Sequence, residues 1–112
     1  MTISVRQTEG FTVLDAKGKI TIGSGDVALR EAIQGALDAG GKKILVNLKD
    51  VSTIDSSGIG ELVSAYTSAS NRGAELALVG LPPKVQDILQ ITQLVTVFDI
   101  YDDEAEAMSS MG

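Results

Sequence analysis

Four consecutive residues, Asp55-Ser56-Ser57-Gly58, are the best candidates for chemistry in this chain of 112 residues. They combine a carboxylate with two neighbouring hydroxyls. A serine at the start of a helix can act as a cap, because its oxygen accepts a hydrogen bond from an unpaired amide, and one of the two serines suffices for that. The second hydroxyl suits a phosphate acceptor, since helix amides and the helix dipole favour negative charge there. The residues alone leave both interpretations open.

The flanking segments place these hydroxyls between a strand and a helix. Residues 44–46 are an apolar run typical of a buried strand, and Ile59, Leu62, Val63 and Tyr66 recur at helical spacing. We therefore expect those four side chains to belong mainly to the core. The serines fall at the junction.

The rest of the chain alternates strands and helices. Residues 3–8 and 11–20 predict two strands joined by a tight turn at Glu9-Gly10. Asp26 opens a helix that ends at Gly40-Gly41, and Pro82-Pro83 fixes the start of a short third helix. The other predicted elements are strands at 43–48, 74–79 and 95–100, a helix from 57 to about 71, and a short acidic helix at 102–108 with a frayed end.

This order predicts an α/β fold. Strand-helix-strand units imply parallel pairing through right-handed crossovers, whereas the first two strands form an antiparallel hairpin. A mixed, mostly parallel sheet follows. Chains of this size and hydrophobic content (44%) fold around a single core, so we expect one domain over residues 1–112 with a core from about 3 to 108.

Composition argues against several classes of function. The chain has no histidine and no cysteine, which removes a Ser-His-Asp triad, thiolate catalysis and thiolate metal sites. The acidic cluster of Asp99, Asp102, Asp103, Glu104 and Glu106 lacks the ligand spacing of a calcium loop. We expect no catalytic residues, no metal site, no cofactor and no enzymatic activity.

Charge and hydropathy indicate where the protein acts. A formal net charge of −6 disfavours direct binding to nucleic acid. There is no apolar run of roughly 18 residues, so we expect no membrane span. The first residues also lack a signal-peptide pattern, and the predicted location is the cytoplasm.

From about residue 3 to 108 the chain resembles the STAS family of bacterial anti-sigma factor antagonists. The segment Asp55-Ser56-Ser57-Gly58-Ile59-Gly60 is similar to their phosphorylation loop, and residues 46–51, 73–80 and 97–105 add to the agreement. The resemblance implies a STAS fold, with a central sheet and about four helices packed mainly on one face.

The resemblance also implies a mechanism, partner switching. The unmodified protein would bind an anti-sigma factor that is also a serine kinase, and so free the sigma factor. That kinase, which holds the ATP, would phosphorylate Ser56, and a serine phosphatase would reset the switch. Ser57 would be the cap or a secondary contact, and Gly58 would keep the loop open for the kinase.

The partner surface implied by the resemblance includes Asp55, Ser57, Gly58, Thr21 and Ser24. Related proteins carry an aspartate soon after a glycine in the second strand, where this chain has Thr21. The departure bears on the identity of the partner more than on the fold. The oligomeric state, monomer or weak dimer, stays open.

Two other functions remain. One is a STAS adaptor subunit of a stress-sensing or membrane-transporter complex, indifferent to the state of Ser56. The other is a nucleotide or small-ligand sensor, although Gly23-Ser24-Gly25-Asp26 lacks the Gly-Lys-Ser/Thr of a phosphate-binding loop.

Overall fold

A computed structural model describes residues 2–23 and 25–111. Within them the chain forms five strands, four α-helices and one 3₁₀ turn. In chain order these are β1 (Thr2–Thr8), β2 (Phe11–Ile20), α1 (Asp26–Asp38), β3 (Lys43–Ile54), α2 (Ser56–Asn71), β4 (Glu75–Val79), α3 (Pro83–Ile91), the 3₁₀ turn (Leu94–Thr96), β5 (Asp99–Tyr101) and α4 (Glu104–Met111).

The strands form one mixed sheet in the order β1-β2-β3-β4-β5. β1 and β2 are antiparallel and every other neighbouring pair is parallel. Glu9 and Gly10 join the hairpin with φ values of 51° and 83°, which is the left-handed backbone that a two-residue hairpin turn requires. The predicted α/β class and the N-terminal hairpin are confirmed.

Three helices cover one face of the sheet, which we call the inner face. Each parallel connection moves one strand further in the same direction, so right-handed crossovers place α1, α2 and α3 on the same side. Their apolar residues bury the main core together with Leu14, Ile44, Val46, Leu76 and Leu78 of the strands. The opposite, outer face is smaller and is covered by α4, as expected for helices packed mainly on one face.

The pairing register places the ends of β2 and β3 side by side. β3 leaves β4 after Asn47, which pairs with Val79, but stays paired with β2 until Ile20 meets Ile54. The end of β3 is therefore a two-stranded extension of the sheet. α2 begins directly after it.

Three predicted boundaries differ from the structure by three residues or more. β3 runs to Ile54 rather than to Leu48, because Val51 and Ile54 return to the core after an irregularity opposite residues 15–19 of β2. β5 begins at Asp99 rather than at residue 95, since the preceding segment forms a 3₁₀ turn. α4 continues to Met111, where the sequence suggested a frayed end, because Met111 packs on the outer face.

In the part of the chain that the structure describes, no helix is long and apolar enough to cross a membrane.

Candidate functional site

Asp55 organises the junction between β3 and α2. Its backbone is extended, and it caps α2 by accepting a hydrogen bond at Oδ1 from the Gly58 amide (3.0 Å). The second carboxylate oxygen, Oδ2, accepts from the Ile22 amide (2.9 Å), in the loop that follows β2. The Asp55 amide itself donates to the Ile20 carbonyl oxygen (3.2 Å). One aspartate thus ties two adjacent strand ends to the first turn of a helix.

These amide hydrogen bonds favour the ionised carboxylate. The Ile22 amide, and then the Gly58 amide, hold the pKa of Asp55 below its ordinary value. The cap is therefore negatively charged at neutral pH.

The prediction that Ser57 caps α2 is wrong. Asp55 supplies the capping oxygen, so the two serines are instead the first two residues of α2. Ser56 is exposed and Ser57 is partly exposed. Capping therefore does not require the hydroxyl of Ser56, which stands free for other chemistry at a helix N-terminus.

Gly58 is buried in the first turn of α2, so it does not keep a loop open as the sequence suggested. A Cβ at this position would lie 2.3 Å from the Ile20 carbonyl oxygen and 2.6 Å from Cγ1 of Ile54. Only glycine lets α2 approach the strand ends this closely. Its contribution to the site is the close packing that holds Ser56 beside the end of β2.

Thr21 and Ser24 were predicted to belong to the same surface. Thr21 is partly exposed and forms an isolated parallel bridge with Gly25, one residue after β2 ends. Its segment is brought next to Asp55 by the Ile22 amide. Ser24 lies outside the described residues.

Sequence reasoning missed two apolar residues beside the site. Ile22 is 75% exposed and Val27, in the first turn of α1, is 44% exposed. An isoleucine in a glycine-rich turn after a strand has no core position to occupy, and that was the available signal.

A neighbouring acidic residue, Glu61, is paired with a cation. Glu61, one turn after Ser57, lies 3.4 Å from Nη1 of Arg30 on α1. The Asp55 carboxylate is therefore the principal negative group adjoining Ser56. Among the described residues, no three acidic side chains come together as a metal site.

A separate cleft of about 710 Å³ lies beside α4 on the outer face. Its charged groups include Arg6 and Asp15, which form an ion pair, and Asn47 donates to Asp15 (3.1 Å). The Arg6 guanidinium holds the pKa of Asp15 below its usual value. Thr21, Asp55, Ser57 and Gly58, the described residues of the predicted partner surface, do not line this cleft.

The fold and this strand-to-helix junction define a small α/β domain, and comparison with known proteins identifies its family. The STAS domain model matches residues 2–107. The chain belongs to the STAS domain family.

Individual relatives agree with this assignment. The chain is 32% identical to the anti-sigma-B factor antagonist of Bacillus subtilis over 88% of each protein. The crystal structure of a Thermotoga maritima protein, provisionally named an anti-sigma factor antagonist, superposes with a TM-score of 0.89 at 29% identity, over 96% of this chain and 92% of that one. The Bacillus protein SpoIIAA in its phosphorylated form has the same fold, with a TM-score of 0.74 at 19% identity, over 99% of this chain and 100% of that one. In sequence, the chain spans 66% of the length of two Thermotoga relatives that it matches at 39% identity.

Proposed function

We propose that this protein is an anti-sigma factor antagonist switched by phosphorylation of Ser56. The unmodified protein binds an anti-sigma factor serine kinase and releases a sigma factor. Phosphate on Ser56 ends that binding, and a serine phosphatase restores it. The observation that carries the proposal is an exposed Ser56 at the first position of α2, beside a cap that Asp55 already provides.

The local geometry supports Ser56 over Ser57 as the acceptor. Ser56 is the more exposed of the two and directly follows the capping aspartate. The start of α2 has no acidic residue in its first turn, so the helix dipole there favours an added phosphate. Modification can therefore occur without disrupting α2.

The same charge acts differently across an interface. A phosphate adds about −1.5 to −2 charges at neutral pH. Before modification, a partner meets one anion, the ionised Asp55, and the neutral hydroxyl of Ser56. After modification, the same surface would present two anionic groups. A loss of about 2.7 kcal/mol corresponds to roughly hundredfold weaker binding, which is enough to exchange partners without refolding.

The apolar side chains of Ile22 and Val27 supply the remainder of this surface. Ile22 is fixed beside the Asp55–Ser56 junction through its amide, and Val27 follows five residues later in the first turn of α1. Exposed apolar groups rimmed by polar ones are typical of protein interfaces. Thr21, Asp55 and Ser57 form the polar part of the proposed contact.

The test combines phosphosite mapping with binding to the anti-sigma factor kinase. The wild type and Ser56→Ala are incubated with ATP and the kinase, and Ser57→Ala serves as the matched control. We expect phosphate on the wild type and on Ser57→Ala, and none on Ser56→Ala. The phosphorylated protein should bind the kinase about a hundredfold more weakly than the unmodified protein.

Two results would count against the proposal. Phosphate that persists in Ser56→Ala but vanishes in Ser57→Ala would move the switch by one residue. Tight binding that is equal for modified and unmodified protein would favour a constitutive adaptor.

A further inference from the structure

The outer face of the sheet depends on α4 for its cover. An apolar surface of Phe11, Val13, Leu45, Ala77 and Val79 is buried there, and α4 contributes Ala107, Met108 and Met111. Ala107 is fully buried, whereas both methionines are partly exposed. Much of the apolar contact made by α4 therefore comes from two methionine side chains that are only partly buried.

Among the described residues, the side-chain hydrogen bonds made to α4 lie in its first turn. Arg6 on β1 bonds both Glu104 and Asp15, and the Asp103 carboxylate accepts from the Glu106 amide (2.8 Å). The last turn is held by Met108 and Met111 against the sheet. A helix of eight residues is not stable alone in water, so its order depends on these attachments.

Met108 and Met111 are also the only residues of the chain, apart from Met1, that contain sulfur. They are three residues apart, which places them on the same side of α4. Any oxidant that attacks sulfur in this protein therefore acts on the helix that covers the outer face, or on the first residue.

We propose that Met108 and Met111 are modification sites for a hydroperoxide, and that their oxidation to sulfoxide releases α4 from the outer face. The thioether sulfur attacks one oxygen of hydrogen peroxide, an S–O bond forms, and the O–O bond breaks with its electron pair leaving on the other oxygen as hydroxide, which takes the proton of the transferred hydroxyl. The sulfur is oxidised to the sulfoxide, and hydrogen peroxide is reduced to water. Methionine sulfoxide reductases reverse this modification.

The consequence follows from polarity. A sulfoxide replaces an apolar thioether with a strongly polar group, and the cluster against which both methionines pack consists of apolar side chains such as Val13 and Leu45. Burial of a polar group without a partner is unfavourable enough to shift the docking of α4 by about tenfold or more for each sulfoxide. The main core on the inner face contains neither methionine and remains packed.

The experiment treats the full-length protein with hydrogen peroxide and follows it by peptide mass spectrometry and hydrogen exchange. We expect sulfoxide on both methionines, amide exchange in α4 at least about tenfold faster, and increased binding of a hydrophobic dye. Exchange in α1 and α2 should be unchanged. Methionine sulfoxide reductases should restore the original exchange rates.

The control is the double variant Met108→Leu/Met111→Leu, because leucine replaces methionine in cores with little loss of stability. It retains Met1, so any effect of oxidation at the first residue is common to both proteins. The peroxide-treated variant should keep α4 protected. Sulfoxide formation at both sites without faster exchange in α4 would overturn the proposal, as would equal loosening of the leucine variant or resistance of both methionines while Met1 is oxidised.

Discussion

At the scale of single residues, Asp55 determines what Ser56 can do. Its two carboxylate oxygens accept hydrogen bonds from the Ile22 and Gly58 amides, so the cap does not need the hydroxyls of Ser56 and Ser57. The sequence alone allows a serine as the cap in the Asp-Ser-Ser-Gly motif, because serine and aspartate are about equally good N-caps. The bond from the Gly58 amide to Oδ1 of Asp55 distinguishes them in the structure, and the further contact with Ile22, 33 residues away, is one that no local pattern contains.

This arrangement predicts a pH dependence for the variant Asp55→Asn. Asparagine keeps one accepting oxygen and removes the charge, so the variant should be less stable than the wild type at pH 7. The pKa of Asp55 is lowered in the folded protein. Its stabilising effect is therefore present above the ordinary aspartate pKa of about 3.9 and is lost as the pH falls through the lower, folded value.

Urea unfolding at pH 7 and near pH 3 measures the effect. The stability difference between wild type and Asp55→Asn should shrink at the acidic pH. Asp50→Asn removes the same charge from an exposed part of β3 and should leave stability nearly unchanged. A difference that is as large near pH 3 as at pH 7 would show that the charge of Asp55 is not what stabilises the cap.

At the scale of elements, the sequence predicts the features that depend on local signals and hydrophobic periodicity. It does not predict the element boundaries that tertiary packing determines. The start of α3 at Pro83, the hairpin turn and the core positions of Ile59 and Leu62 follow from local signals and are confirmed. The end of β3 was missed because Lys49 and Asp50, both exposed, interrupt the apolar pattern before Val51. The 3₁₀ turn was taken for strand because its residues are largely β-branched, a preference that packing overrides.

The contact between α2 and the strand ends gives an element-scale prediction. The Cβ introduced by Gly58→Ala would overlap the Ile20 carbonyl oxygen, which lies 2.3 Å from its position. We expect a destabilisation of about 1–3 kcal/mol, the usual effect of overpacking, together with displacement of the start of α2. Denaturant unfolding and amide chemical shifts around Asp55 would measure both.

Gly60→Ala is the matched control for this prediction. Gly60 lies in the same helix, is exposed, and has no atom within 4 Å of a built Cβ. Alanine should therefore stabilise α2 there, by up to about 1 kcal/mol, through helix propensity. If both variants had the same effect, the close approach at Gly58 would not limit the packing of α2.

At the scale of the whole molecule, the candidate phosphorylation site Ser56 lies outside the buried core. Ser56 lies beyond the last paired residues of β2 and β3, at the tip of the two-stranded extension. The buried clusters on both faces of the sheet do not include it. We therefore expect the domain to stay folded when a charge is added at this tip.

This separation leads to a prediction for Ile22→Asp. Ile22 is 75% exposed and contributes its amide, not its side chain, to the fold, so the variant should unfold at nearly the same denaturant concentration as the wild type. If Ile22 is an apolar anchor of the proposed interface, binding to the anti-sigma factor kinase should weaken by about 2 kcal/mol, or roughly thirtyfold. Calorimetric titration of the unphosphorylated protein measures this.

The chain offers a matched control for the same substitution. Ile91 is 81% exposed at the end of α3, in the connection towards β5, and Ile91→Asp makes the same change in charge and polarity away from the tip. Net charge becomes more negative by one in both variants, so any long-range repulsion from a partner affects them alike. Weaker binding for Ile22→Asp alone would place the contact beside Ser56. Equal loss in both would assign the effect to overall charge, and a loss confined to Ile91→Asp would move the interface to the α3–β5 connection.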